Sequence, residues 1–267
     1  MTATDLARAG RLSESLSLLQ EEIRAHPGEE KLRLFLFQLL VVMGKWDRAL
    51  TQLQVLAGMS SDAAMLARIF EPVIRCEVLR GDIFAGQRTP LIFGQPEEWM
   101  VWLVKANELM AKGQAAAAAD LRGRAFEAAP VTPGTINEKP FEWIADADPR
   151  LGPLLEVILE GKYYWVPFQR IRRMHVEKPT DLRDFVWIPA QFVWANGGEA
   201  SGHIPTRYVH TEKSSDDALR LARKTEWAES SSGVTTGLGQ RILATDSDEI
   251  PLLECGVIDL QVPEPAG

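Results

Sequence analysis

Gly10 and Gly44 lie 34 residues apart, and each opens related text: Gly10-Arg-Leu-Ser-Glu-Ser-Leu and Gly44-Lys-Trp-Asp-Arg-Ala-Leu. That spacing is the tetratricopeptide period, in which a glycine turns the chain between two helices of one repeat. Pro27 follows Gly10 by 17 residues, where a proline often closes such a unit. A third copy opens at Gly113, with Pro130 again 17 residues on, while Gly81-Asp82 falls between in poor register. The first half of the chain is therefore expected to be an α-helical repeat.

Apolar spacing supports this. Leu6, Leu12, Leu16, Leu19 and Ile23 recur at helical intervals, and helices follow over 29–43, 46–57, 61–79, 97–111 and 114–129. Ser60 or Ser61 is placed to cap the helix over 61–79, and Pro72 is expected to kink or interrupt it. Thr89-Pro90 and Gln95-Pro96 mark a loop.

Near residue 130 the texture changes. Pro130, Pro133, Gly134 and Pro140 read as a linker over 131–140. Beyond it, β-branched and aromatic residues cluster in Tyr163-Tyr-Trp-Val, Phe185-Val-Trp-Ile and Gln191-Phe-Val-Trp, each read as a strand. Asn196-Gly197-Gly198 is a hairpin turn signal, and further strands are expected over 204–209, 239–245 and 252–262. Helices are expected at 151–160 and 215–225, and Ser230-Ser-Ser-Gly-Val-Thr-Thr as a loop. The fold class is α+β: a repeat domain over 1–130, a linker, and a smaller β-rich domain over 141–267.

Composition narrows the function classes. A net charge of -8 is unlike a general nucleic-acid binder. The excess lies in the second half, where 131–267 carries 14 basic and 21 acidic side chains. Cys76 and Cys255 lie outside any CxxC pattern and read as buried thiols of a reducing compartment. The N-terminus lacks the pattern of a signal peptide, and the longest apolar run, Leu34 to Met43, is about half a membrane span. A cytoplasmic protein without membrane segments is expected.

The second half carries a long ordered motif series. It runs Phe141-Glu-Trp-Ile-Ala-Asp-Ala-Asp-Pro-Arg-Leu-Gly-Pro, Leu155-Glu-Val-Ile-Leu-Glu-Gly-Lys-Tyr-Tyr-Trp-Val-Pro, Asp181-Leu-Arg-Asp-Phe-Val-Trp-Ile-Pro-Ala, Ile204-Pro-Thr-Arg-Tyr, Thr225-Glu-Trp and Gly237-Leu-Gly-Gln-Arg. This series resembles the ImpE/TagJ family, also called SciE-type, of type VI secretion accessory proteins, and the resemblance spans essentially the whole chain. Val209-His210 stands where that pattern favours a small or turn-forming pair. The resemblance implies a non-enzymatic cytoplasmic adaptor, without cofactor, that binds the N-terminal helix of the small contractile-sheath subunit. It also implies a link to the AAA+ ATPase that recycles the sheath. The motif residues with a binding or structural role would be Trp143, Asp146, Asp148, Arg150, Trp165, Pro167, Trp187, Arg207, Tyr208, Gln240 and Arg241.

The concave face of a helical repeat suits an amphipathic helix, which agrees with such a role. A helix-binding chaperone for another secretion client is an alternative. A second alternative is a metal-dependent hydrolase or phosphate-binding enzyme built on Asp146, Asp148, His203 and Arg207, because paired carboxylates beside arginine hold metals or phosphates. The plainer reading is that Asp146 or Asp148 caps a helix starting at Pro149. His26, His175, His203 and His210 form no HExxH or helical His pair; His203 and His210 near Glu199 and Glu212 would need two strands to bring them together. Arg170, Arg172, Arg173, His175 and Lys178 read as an acidic-partner contact or as a charged edge strand. Gly237-Leu-Gly239 reads as a turn. The tryptophans are read mostly as core, Trp46 among them.

Overall fold

The computed structural model describes residues 1–229 and 234–262. Seven helices lead the chain: α1 (Ala3–Arg8), α2 (Leu12–Ala25), α3 (Glu30–Val42), α4 (Trp46–Ala57), α5 (Ser61–Phe84), α6 (Glu98–Ala111) and α7 (Ala115–Ala128). Gly10, Gly44 and Gly113 sit between α1 and α2, α3 and α4, and α6 and α7, with φ of 74°, 66° and 74°. Each ends its helix in the same way. The residue after the glycine donates its N–H five residues back: Arg11 to Leu6 O, Lys45 to Leu40 O and Gln114 to Leu109 O, at 2.8–2.9 Å. This left-handed stop is why glycine recurs there. Gly86, with φ of 70°, closes α5 by the same bond from Gln87 to Asp82 O. Gly81 lies inside α5.

Ser60 caps α5, its hydroxyl accepting from Ala63 N–H at 3.1 Å. The expected interruption at Pro72 does not occur. One helix runs 24 residues through it. Packing on both sides holds it: Ile74 and Val73 are buried, and Pro72 lies against Gly161.

The strands are β1 (Leu91–Ile92), β2 (Gly134–Ile136), β3 (Lys139–Phe141), β4 (Ile144–Asp146), β5 (Leu154–Leu159), β6 (Lys162–Pro167), β7 (Ile171–Val176), β8 (Trp187–Trp194), β9 (Glu199–Pro205), β10 (Thr225–Glu229), β11 (Thr235–Gly239), β12 (Ile242–Thr245), β13 (Glu249–Pro251) and β14 (Val257–Leu260). Among the described residues nine of them form one sheet in the order β1-β6-β5-β9-β8-β7-β14-β2-β3. Strands β13-β12-β4 form a second sheet and β10-β11 a ribbon. The architecture is α+β, a helical first part followed by a β-rich second part.

Several local expectations change. Residues 154–159 form a strand, not a helix. All six side chains of Leu-Leu-Glu-Val-Ile-Leu are buried, since the strand is covered on both faces, and such a run carries no period to separate strand from helix. The helix expected over 215–225 shrinks to α8 (Asp217–Arg220), because Ala222 turns left-handed at φ 51°. Of the two aromatic runs of 185–194, Phe185 ends a 3-10 turn, and Trp187 to Trp194 form one strand passing through Pro189, joined to β9 by the expected turn, with Gly197 at φ 83°. The loop at 89–96 contributes β1, which lies parallel to β6. The stretch read as a linker carries β2 and the start of β3, paired through β14 into the large sheet. Gly237 and Gly239 lie in β11 rather than in a turn. β7, with Arg172, Arg173 and His175, is an interior strand between β8 and β14, so it needs no edge protection. The serine run at 230–233 lies outside the described residues.

One core joins the two parts. Phe37, Leu40, Phe70, Ile74 and Phe84 of the helices pack with Leu154, Ile158, Trp165, Trp187 and Val209 of the second half. A second core lies on the far face of the sheet, around Val166, Phe168, Met174, Phe192 and Ile258. The helices therefore spend one face on their own chain. Gln38 shows how closely: its side chain donates to Asp181 at 3.0 Å and accepts from Leu182 N–H at 3.0 Å.

Candidate functional site

Most of the motif side chains converge on the seam between α5, β5, β4 and β12. Glu156 of β5 is fully buried and takes four donors. Arg80 of α5 reaches it with Nε at 2.6 Å and Nη2 at 2.9 Å, while the Tyr163 hydroxyl and Arg241 also donate to it. Arg80 also pairs with Glu77 at 2.8 Å and donates to Arg207 O at 2.8 Å. Glu77 in turn accepts from the Trp187 indole at 2.9 Å, and Tyr163 from that of Trp165 at 2.7 Å.

On the other side, Arg241 bridges Glu156 and Asp146 and donates to Pro205 O at 3.0 Å. Asp146 accepts from Asp148 N–H at 2.8 Å. Asp148 holds Arg150 through Nε at 2.9 Å and accepts from Gly237 N–H at 2.9 Å. No helix starts at Pro149. Asp148 instead accepts from Arg150 N–H at 3.0 Å in a tight turn that leads into β5. The Tyr208 hydroxyl accepts from Ile242 N–H at 3.0 Å, and its ring lies against Gly237 and under the Arg241 guanidinium, 5.4 Å away.

Arg207 is tied to backbone only, donating to Val42 O at 2.9 Å and to Arg220 O. Gln240 donates to Ala222 O at 2.7 Å and accepts from Leu253 N–H. Pro167 ends β6 at the network's margin. Trp143 stands apart from the network and is 39% exposed. Trp46 is only partly buried, its ring tilted against that of Trp187 with centroids 5.9 Å apart. His210 takes a left-handed φ of 68°, so Val209-His210 turns the chain even without a small residue.

The buried carboxylates Glu77, Asp146, Asp148 and Glu156 are paired with Arg80, Arg150 and Arg241, while Arg207 is held by backbone carbonyls. Buried ions persist only when paired in this way. Burial drives the Glu156 carboxyl upward, but Arg80 and Arg241 outweigh it and hold the group at about 2. Burial pushes Asp146 up to about 6 despite Arg241, with Asp148 and Glu156 adding to the rise. Burial also lowers Arg207 to about 10.

These shifts act on stability in opposite directions. The Glu156 contribution is present above its unfolded value near 4.5 and is lost as pH falls toward 2. Asp146 holds its proton more tightly in the fold, so its contribution is present below about 4 and is lost as pH rises through about 6. Asp146→Asn removes only the second. Between pH 4 and 6, wild-type stability is expected to fall relative to this variant by on the order of 3 kcal/mol. Urea melts across that window check it, and parallel pH profiles would refute it.

The network leaves the enzyme candidates occupied. Asp146 and Asp148 are 2% and 0% exposed, with arginine and amide partners in place. His203 lies in β9, edge-on to Phe70 at 5.4 Å, and His210 faces Glu212 at 3.8 Å. Among the described residues no three His, Cys, Asp or Glu side chains are grouped as a metal would need. Cys76 and Cys255 are free and buried. Among the described residues no helix is long and apolar enough to cross a membrane. The basic stretch is spent on local partners, Arg172 on Ala195 O and Arg173 on Asp259. Glu77, Arg80, Glu156 and Tyr163 were not singled out in the sequence. The signal available for Glu156 was a lone carboxylate in a six-residue apolar run.

The model of the ImpE protein family matches residues 138–259, the span that supplies Asp146, Glu156, Arg207 and Arg241. The type VI secretion system accessory component TagJ of Pseudomonas aeruginosa is 48% identical over 261 residues, covering 98% of this chain and 92% of that protein. The chain belongs to the ImpE/TagJ family. The crystal structure of protein VPA1032 from Vibrio parahaemolyticus matches with a TM-score of 0.88 at 27% identity, over 98% of both chains. Both matches reach across the helical half as well as the motif-bearing half. The ImpE/TagJ motif text is thus mostly the text of a buried electrostatic seam that fastens helices to sheet.

Proposed function

We propose that this chain is a non-enzymatic, cytoplasmic accessory of a bacterial type VI secretion system. Its task is to bind the N-terminal helix of the small sheath subunit and to assist recycling of contracted sheath by the AAA+ ATPase. The near full-length relation to TagJ, itself named as an accessory component of that system, carries the reading. The geometry is in keeping with it. The polar motif residues are spent on internal pairs, as a binding scaffold requires and as a catalytic centre does not.

In this reading the helical part, 1–130, and the β-rich part, 141–267, act as one body, because they share a core through Phe70, Trp165 and Trp187. The full chain is therefore the species to test. Calorimetric titration with a peptide of the cognate subunit's N-terminal helix is expected to give binding in the micromolar range, about -8 kcal/mol. Unrelated amphipathic helices of equal length are expected not to bind. Absence of heat at tenfold higher concentration would refute the role, and equal binding of all helices would turn it into that of a general helix chaperone.

A further inference from the structure

We propose that the concavity between α5 and the β8–β9 part of the large sheet binds a small aliphatic zwitterion, an amino acid or dipeptide with free ammonium and carboxylate ends. This site is separate from the adaptor role above and does not depend on it. The concavity encloses about 560 Å³, a size suited to a small ligand. Ile69, Val73, Ile158 and Ala190 give it an apolar side, and Arg68, Glu160, Ser201 and His203 stand around it. Ile69 is 46% exposed, an aliphatic side chain left in water at the lip.

The polar groups here are unspent, unlike those of the buried seam. Among the described residues Arg68 and Glu160 have no ion pair, and the Ser201 and His203 side chains make no hydrogen bond. Glu177, also in the lining, is by contrast occupied by the Gln191 amide at 2.8 Å. The helix itself adds an acceptor. Pro72 has no N–H to give, so Arg68 O lacks its usual partner four residues on, and both residues border the concavity. His203 is held edge-on to Phe70 at 5.4 Å. Burial lowers its proton affinity, with Arg183 adding to the effect and Asp184 opposing it, so the ring is neutral at pH 7 and offers one N–H.

Glu160 occupies a position that local structure alone would give to another residue. Glu160 and Gly161 are the two central residues of the β5–β6 turn, closed by Leu159 opposite Lys162, with φ of 49° and 72°. Such a turn favours asparagine or glycine at its first position, because other side chains are strained at positive φ. The turn is also pinned. A Cβ on Gly161 would come within 2.7 Å of Pro72, and Gly161 O accepts from the Cys76 thiol at 3.2 Å. The Glu160 carboxylate is therefore carried on a turn fixed against Pro72, the residue that frees the Arg68 carbonyl. Strain kept in a fixed element is characteristic of ligand sites.

These groups define the ligand. An ammonium carries donors only and matches the Glu160 carboxylate together with Arg68 O. A carboxylate matches the Arg68 guanidinium, with the Ser201 hydroxyl and the His203 N–H as further donors. The aliphatic body lies on Ile69, Val73 and Ile158 and takes their surface out of water. A simple anion would leave Glu160 unmatched and a simple cation would leave Arg68 unmatched, so a molecule with both charges is the complementary one.

The test is calorimetric titration of the full chain with L-leucine and with L-leucyl-L-leucine, which separate the amino acid from the dipeptide. At least one is expected to bind with a submillimolar Kd. Blocking either end of that ligand, as the N-acetyl or the amide derivative, is expected to raise Kd by roughly tenfold or more. Glu160→Asn removes the carboxylate and suits the left-handed turn. It is expected to weaken binding by roughly tenfold while its thermal midpoint equals or exceeds that of wild type. Arg68→Met is expected to weaken the free ligand equally and to leave the amide derivative unaffected. Absence of heat with both ligands at about 10 mM overturns the site. So does wild-type affinity in both Glu160→Asn and Arg68→Met, and affinity indifferent to blocking at either end overturns the zwitterion. The sheath-helix titration uses another ligand, so the two readings fail separately.

Discussion

Glu156→Ala is expected to destabilise the fold by about 3–5 kcal/mol, a large part of the 5–15 kcal/mol that holds a typical domain together. The carboxylate is fully buried and receives Arg80, Arg241 and Tyr163. Its removal leaves two guanidinium groups without water and with half their counter-charge. Glu77 remains for Arg80 and Asp146 for Arg241, so the network weakens rather than vanishes. Glu156→Gln keeps the shape and separates charge from volume. It is expected to lie nearer the alanine variant than wild type, since the missing term is chiefly the anion. Pairing Glu156→Ala with Arg80→Met in a double-mutant cycle is expected to recover at least about 1 kcal/mol, because one orphaned cation leaves with its partner. Urea unfolding monitored by tryptophan fluorescence measures all four species. A loss under 1 kcal/mol in Glu156→Ala would show that the seam is ornamental to stability.

Trp187→Ala is the second large effect, with an expected cost of about 3–5 kcal/mol. The ring is fully buried, stands 6.2 Å from Phe70 and 5.9 Å from Trp46, and so touches α4, α5 and the sheet together. The indole N–H also satisfies Glu77. Trp187→Phe keeps most of the packing and leaves that carboxylate oxygen short of a donor, for an expected cost of about 1–3 kcal/mol. The order wild type, phenylalanine, alanine in midpoint denaturant concentration is the result to look for. An alanine variant as stable as the phenylalanine one would mean that the hydrogen bond, not the packing, carries the residue's contribution.

Both positions lie in text where sequence reasoning went only part of the way. The helical half was legible because its stops are local. A left-handed glycine closed by a five-residue-back hydrogen bond needs no distant partner, so Gly10, Gly44 and Gly113 marked their turns in the sequence alone. The Asn196-Gly197-Gly198 hairpin was legible for the same reason. The α+β class followed from helical periods in the first half and aromatic, β-branched runs in the second, and the family from the ordered motif series of the second half.

Tertiary structure decided the rest. Leu154–Leu159 became a strand because both of its faces are covered, a condition with no local period. Pro72 stayed inside a helix because packing outweighed its missing N–H. Asp146, Asp148 and Arg150 look alike as enzyme, cap or ion pair until Arg241, 95 residues away, is brought onto Asp146. Sequence determined which residue types and which turns this protein has. Only the fold decided which charges are desolvated together, because a buried carboxylate is defined by its distant partners rather than by its neighbours along the chain.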